Sequence, residues 1–160
     1  MVFQSTQNWR YRIISESTAR RLEQVGPLIL GAWSRHDDEL GREANGEFLI
    51  DTGAYGAMID LDVAEALQLS SQGTREVHGI HGYGTLRQFF GRISLPALDS
   101  VGGRTRFTAE IECVGVPSLR EKNREHGVEV IGILGRLFLR GAELRIDGLT
   151  GRIELLIDDK

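Results

Sequence analysis

Phe48-Leu49-Ile50-Asp51-Thr52-Gly53-Ala54 is an apolar run of strand length that ends in an acid, a small hydroxyl residue and a glycine. Read as local structure, Asp bonds its own backbone two residues on and Gly tolerates the turn. Read as chemistry, a carboxylate is delivered at the mouth of a buried strand, with a glycine beside it that lets another backbone approach. The triplet occurs once, and no Asp-Ser-Gly accompanies it. Two carboxylates at hydrogen-bond distance share a proton, because like charges that close cannot both ionise. Chemistry that needs two such loops would therefore take the second from a second copy of the chain.

Two further segments follow in order. Arg75-Glu76-Val77-His78-Gly79-Ile80-His81-Gly82-Tyr83-Gly84-Thr85-Leu86-Arg87-Gln88-Phe89 carries three glycines between apolar flanks, the pattern of a hairpin with a Gly-rich tip. Val130-Ile131-Gly132-Ile133-Leu134-Gly135-Arg136-Leu137-Phe138-Leu139 is a short β-branched run that meets Gly135 and continues as an apolar helical turn. With Ile50-Asp51-Thr52-Gly53-Ala54, then His78-Gly79-Ile80-His81-Gly82-Tyr83, then Ile133-Leu134-Gly135-Arg136, the chain resembles the retropepsin-like aspartic proteases, the single-domain family of retroviral proteases and their bacterial relatives. The resemblance spans about residues 27 to 157.

That resemblance implies a homodimeric endopeptidase in which two Asp51 carboxylates activate one water, Thr52 hydroxyls brace the paired loops and Gly53 admits the substrate backbone. It implies a flap whose amides near Gly79 and Ile80 bond an extended apolar peptide, with Ala54, Leu49, Ile80, Ile131 and Ile133 forming the substrate-binding surface. It calls for no cofactor. Ala54 stands where pepsin-like enzymes have a Ser hydroxyl bonding the carboxylate, which points to a working pH nearer neutrality. The alternative is a catalytically silent module that kept the fold for dimerisation or peptide binding. The chain departs from the retroviral pattern at two positions. An Asp that pairs with the Gly-Arg arginine is here Tyr55, and the Asp or Asn usual after that arginine is Leu137. Arg136 is thus expected to have another partner, one candidate lying across the dimer interface.

The fold class expected is mainly β: a closed barrel of the retropepsin, or acid-protease, type with one or two short helices and an N-terminal helical arm. Residues 1–26 form the arm and helix, and 27–160 the protease-like domain. A length of 160 residues suits one domain with a real core. A net charge of −4, with no basic cluster interleaved with aromatics, argues against nucleic acid as a partner. The single cysteine, Cys113, excludes an intrachain disulfide and reads as a small core residue. No basic-then-apolar leader opens the chain and no run is long enough for a membrane span, so a cytoplasmic location and no membrane partner are expected. His78 and His81 lack the neighbours of a metal site and read as hydrated loop residues.

Along the chain, Ser15 to Gln24 reads as a helix capped by Ser15 or Ser17 and stopped by Gly26-Pro27. Leu28 to Ser34 and Glu47 to Ile50 read as strands joined through an Asn45-Gly46 turn. Asp60 caps a helix over residues 60–67, a better account of Asp60 and Asp62 than partnership with Asp51. Gln88 to Leu95 and Thr105 to Val114 alternate as strands. Residues 118–127 read as a solvated excursion. Residues 143–147 and 151–157 form a hairpin around Gly148 to Gly151, and such terminal strands commonly build the dimer interface in the family resembled.

Overall fold

Alternating apolar positions lay out ten strands in the computed structural model, which describes residues 9–38, 41–79 and 82–158. In chain order these are β1 (Tyr11–Glu16), β2 (Leu28–Ser34), β3 (Glu43–Ile50), β4 (Ala57–Asp60), β5 (Ser70–Gly79), β6 (Gly82–Leu98), β7 (Arg104–Val116), β8 (Val130–Leu134), β9 (Ala142–Ile146) and β10 (Arg152–Ile157). Helices are short: α1 (Ala19–Gln24), α2 (Leu61–Ala66) and α3 (Arg136–Leu139), with a 3-10 segment at Glu121–His126. None of them is long and apolar enough to cross a membrane.

Six strands close a barrel in the order β2-β3-β8-β4-β7-β6, with β6 returning to β2 through Ala32↔Ser94, Trp33↔Ile93 and Ser34↔Arg92. The fold is thus mainly β with a closed barrel and a few short helices. In β7 the odd-numbered residues from Thr105 to Ile111 are half-buried while their even-numbered neighbours are exposed, the mark of a strand with one wet face. The long β6 carries elements on both sides of this ring. Its first half pairs with β5 as a hairpin, and its end meets β1, which continues the sheet into β10 and β9.

The barrel interior is filled by Trp33, Phe48, Phe89, Ile59, Ile93, Leu95 and Leu134, all fully buried. Each such side chain contributes about 1.5–3 kcal/mol on burial. Trp33 and Phe48 stack obliquely with ring centres 5.5 Å apart, and the Trp33 indole N–H donates to the Ile131 carbonyl at 3.2 Å. A smaller cluster of Leu28, Leu119, Val128 and Val130 forms outside the ring, with Leu49 and Ile133 packed against it.

Three local expectations change in the folded chain. Asn45-Gly46 is not a turn: both lie inside β3, opposite Ala32 and Gly31. A Cβ on Gly46 would come within 2.7 Å of the Ile131 side chain, so the glycine serves close packing. The first helix begins at Ala19, with Thr18 as its cap accepting from the Arg21 N–H at 3.1 Å. Ser15 and Glu16 belong instead to β1, where pairing with Ile153 and Arg152 outweighs helix formation. Within the charged 118–127 segment, Leu119 is buried and anchors the second cluster.

Candidate active site

The Asp51 loop joins β3 to β4, two strands that do not pair with each other. β8 lies between them, parallel to β3 and antiparallel to β4. This interleaving ties the loop to β8 and to the start of α3. The Asp51 N–H donates to the Leu134 carbonyl at 3.1 Å, and the Ala54 and Tyr55 carbonyls accept from the N–H groups of Arg136 and Leu137, each at 2.9 Å. Gly135 sits at the crossing. A Cβ there would lie 2.5 Å from the Gly56 carbonyl oxygen and 2.6 Å from that of Ala54.

Within the loop, the Asp51 carboxylate accepts the Gly53 N–H at 2.8 Å. Asp51 is half-buried, Thr52 and Gly53 are exposed and Ala54 is buried. One carboxylate oxygen is thereby fixed by the loop itself while the loop's outer surface stays open. Arg136 finds its partners in the same chain: one terminal guanidinium nitrogen donates to the carbonyls of Thr52 and Gly53, at 3.1 and 3.0 Å. With Tyr55 in place of a carboxylate, backbone oxygens receive the arginine.

Asp60 is unavailable as a second acid. It is 1% exposed, accepts from the Val63 and Arg120 N–H groups at 3.2 and 2.9 Å, and faces the Arg120 guanidinium at 3.3 Å. Asp62 lies in the first turn of α2, 3.9 Å from Arg120. Among the described residues no group of three or more His, Cys, Asp or Glu is placed to hold a metal ion.

The β5–β6 hairpin stands over the loop, and between them lies a cavity of about 580 Å³. Gly53 to Met58 line one side, Arg75 to His78 the other, with Ile111 to Val114 and Arg136 to Phe138 completing it. The Arg75 guanidinium sits over the Tyr55 ring, 5.8 Å from its centre. Cys113 contributes to the wall as a buried residue, and burial pushes its thiol up to about 12, so it is not a nucleophile there.

Of the residues expected to bind substrate, Ala54 lines this cavity, whereas Leu49, Ile131 and Ile133 do not. Leu49 and Ile133 are register partners on β3 and β8, partly buried against the second cluster. Ile131 is 2% exposed in the main core. Gly79 ends β5, and Ile80 and His81 lie outside the described residues. Tyr55 and Arg75 were legible as a departure and as a hairpin flank. Met58, Gln88 and Glu112 join the lining through the strand register, for which no motif gives a signal. Neither a scan against protein-family models nor a search of curated proteins returned a match to this sequence.

Proposed function

We propose that the chain is an aspartic endopeptidase of the retropepsin-like type that acts as a homodimer. The observation that carries the reading is the built loop. The Asp51 carboxylate is held by the Gly53 amide and its backbone by Leu134, while Arg136 clasps the Thr52 and Gly53 carbonyls of the same loop, next to a hairpin-covered cavity. A turn with only a structural role has no need of a half-buried carboxylate on so constrained a backbone. The other nearby acid of the same motif region, Asp60, is committed to capping, so the second carboxylate comes from the Asp51 of a second copy.

Across a two-fold axis the two carboxylates hold one water. The ionised member takes a proton from the water as it attacks the peptide carbonyl, and the protonated member donates to the carbonyl oxygen. The proton inventory belongs to the pair. Thr52, exposed at the loop apex, braces one loop against its twin, and the exposed Gly53 lets substrate backbone approach. An extended peptide pairs with the hairpin, which acts as a flap and excludes bulk water on closure. Leu49 and Ile133 offer it an apolar strip, and the cavity beyond Ala54 takes one of its side chains.

The test is cleavage of a diverse peptide mixture, read by mass spectrometry from pH 4 to 7, with wild type and Asp51→Asn at high protein concentration. Cuts that vanish in a folded, dimeric Asp51→Asn protein are the expected result. A folded, dimeric wild type that binds peptides without cutting any would replace this reading with a silent binding module.

A further inference from the structure

Arg75 combines three properties that together describe a receptor for a negatively charged group. It lines the cavity beside the Asp51 loop. Its guanidinium lies over the Tyr55 ring, 5.8 Å from the centre. Its guanidinium has no hydrogen-bond or ion-pair partner among the described residues. Contact with a ring occupies the face of a guanidinium and leaves its in-plane N–H groups available. Those edges form the planar fork that matches a carboxylate bidentately. Tyr55 thus restrains the long side chain before a ligand arrives, and the ordering cost at binding falls.

The cavity also holds Arg136, Glu76 and Glu112, none of them ion-paired with Arg75. Arg136 adds a second guanidinium, of which one terminal nitrogen is engaged by loop carbonyls. Glu112 accepts from the Gln88 amide at 3.0 Å. Glu76 lines the cavity as well, next to Arg75 along β5, with no ion pair between the two. Met58, Val77, Ile111 and Phe138 supply apolar wall, suited to the methylene stem of a longer side chain. A carboxylate entering beside the loop finds in Arg75 a guanidinium whose donors are unspent.

We infer that this cavity receives a carboxylate of the bound peptide, read by Arg75 braced on Tyr55. The inference rests on the reading of the site as a peptide-cleaving or peptide-binding one and names its selectivity. The carboxylate is that of a Glu or Asp side chain or of a peptide C-terminus. Because the cavity lies beside the Asp51 loop, the carboxylate belongs at one position relative to the bond that is cut.

The experiment uses short apolar peptides, amidated at the C-terminus, in which one Glu or, in a matched set, one Gln is moved through each position. One free-acid peptide without Glu completes the series. Cleavage by mass spectrometry and binding by fluorescence anisotropy are measured for wild type, Arg75→Met, Arg75→Glu and Tyr55→Leu. Wild type is expected to favour Glu over Gln about tenfold or more at one position. That ratio should fall to about one in Arg75→Met, drop below one in Arg75→Glu and shrink in Tyr55→Leu. Selective binding of the free-acid peptide alone assigns the site to a terminus. Acid-selective binding with no cleavage upholds the carboxylate site and overturns the protease reading. Cleavage or binding with equal preference for Glu and Gln, or a preference that survives Arg75→Met, overturns the inference.

Discussion

Asp51 owes its placement to its immediate neighbours: the Gly53 amide 2.8 Å away and the Leu134 carbonyl that takes its own N–H. The glycine that makes this possible is distant in sequence. Gly135→Ala drives a methyl into the Ala54 and Gly56 carbonyls, which are backbone atoms with nowhere to retreat. A cost of about 1–3 kcal/mol is expected, as for other overpacked sites, with loss of peptide cleavage. Urea unfolding checks the first, and an unchanged midpoint would show that the crossing is looser than these contacts require. Cys113 makes a separate, pH-linked prediction. Burial raises its thiol from 9.0 to about 12, so the folded chain keeps the proton where the unfolded chain releases it. The stabilisation is complete below pH 9 and is lost as pH rises toward 12, by about 1.4 kcal/mol per pH unit. Unfolding free energies of wild type and Cys113→Ala between pH 8 and 11 should diverge with that sign, and iodoacetamide should label Cys113 only after unfolding.

Among the elements, α2 ends on a conformation its sequence does not favour. Gln68 follows the Leu67 C-cap with φ +53°, in the left-handed region where a side chain costs roughly 1–2 kcal/mol. Gln68→Gly relieves that strain and gives back part of it as unfolded-chain entropy. A net gain of up to about 1 kcal/mol is expected by thermal unfolding, and a destabilised variant would refute the account. Between β2 and β8, the Trp33 indole bond to the Ile131 carbonyl crosses the barrel interior. Trp33→Phe leaves that buried oxygen unmet and opens space, so a loss of about 2 kcal/mol or more is expected from chemical denaturation. The same change should leave the fold's far-UV signature intact, because the ladders of β2 with β3 and β6 are backbone bonds.

Taken whole, the molecule carries one Asp51 loop per chain, and the proposed chemistry needs two. Specific cleavage activity is therefore expected to rise with protein concentration until the dimer is saturated, and to track the dimer fraction from sedimentation. Activity per chain that stays constant while a monomer is the sole species would remove the homodimer from the mechanism. Mixing wild type with excess Asp51→Asn should suppress activity beyond simple dilution, because mixed pairs hold one working acid. Tyr55 and Leu137, exposed beside the loop at 55% and 46%, are apolar where the retroviral pattern is charged or polar. With Arg136 spent on its own chain's carbonyls, an interface at this loop relies less on ion pairs. The assembly should accordingly weaken little as salt rises.

Local order carried much of this in plain view. The apolar strand into Asp51, the glycine-punctuated hairpin, the Asp60 cap and the terminal hairpin each depend on neighbours within a few residues, and period-two alternation announces a mainly β chain. The closed ring was not local. It required β8 to slot between β3 and β4 and β6 to return to β2, pairings made by strands separated by long stretches of chain. Gly46 looked like a turn because its partner Ile131 is remote, and Ile131 and Ile133 looked alike although one faces the core and the other the second cluster. Arg136 could not be paired from sequence, since its acceptors are backbone oxygens that carry no residue signature. Periodicity is written in the chain because side chains alternate along any strand. Which strands meet is settled only when all of them compete for one core.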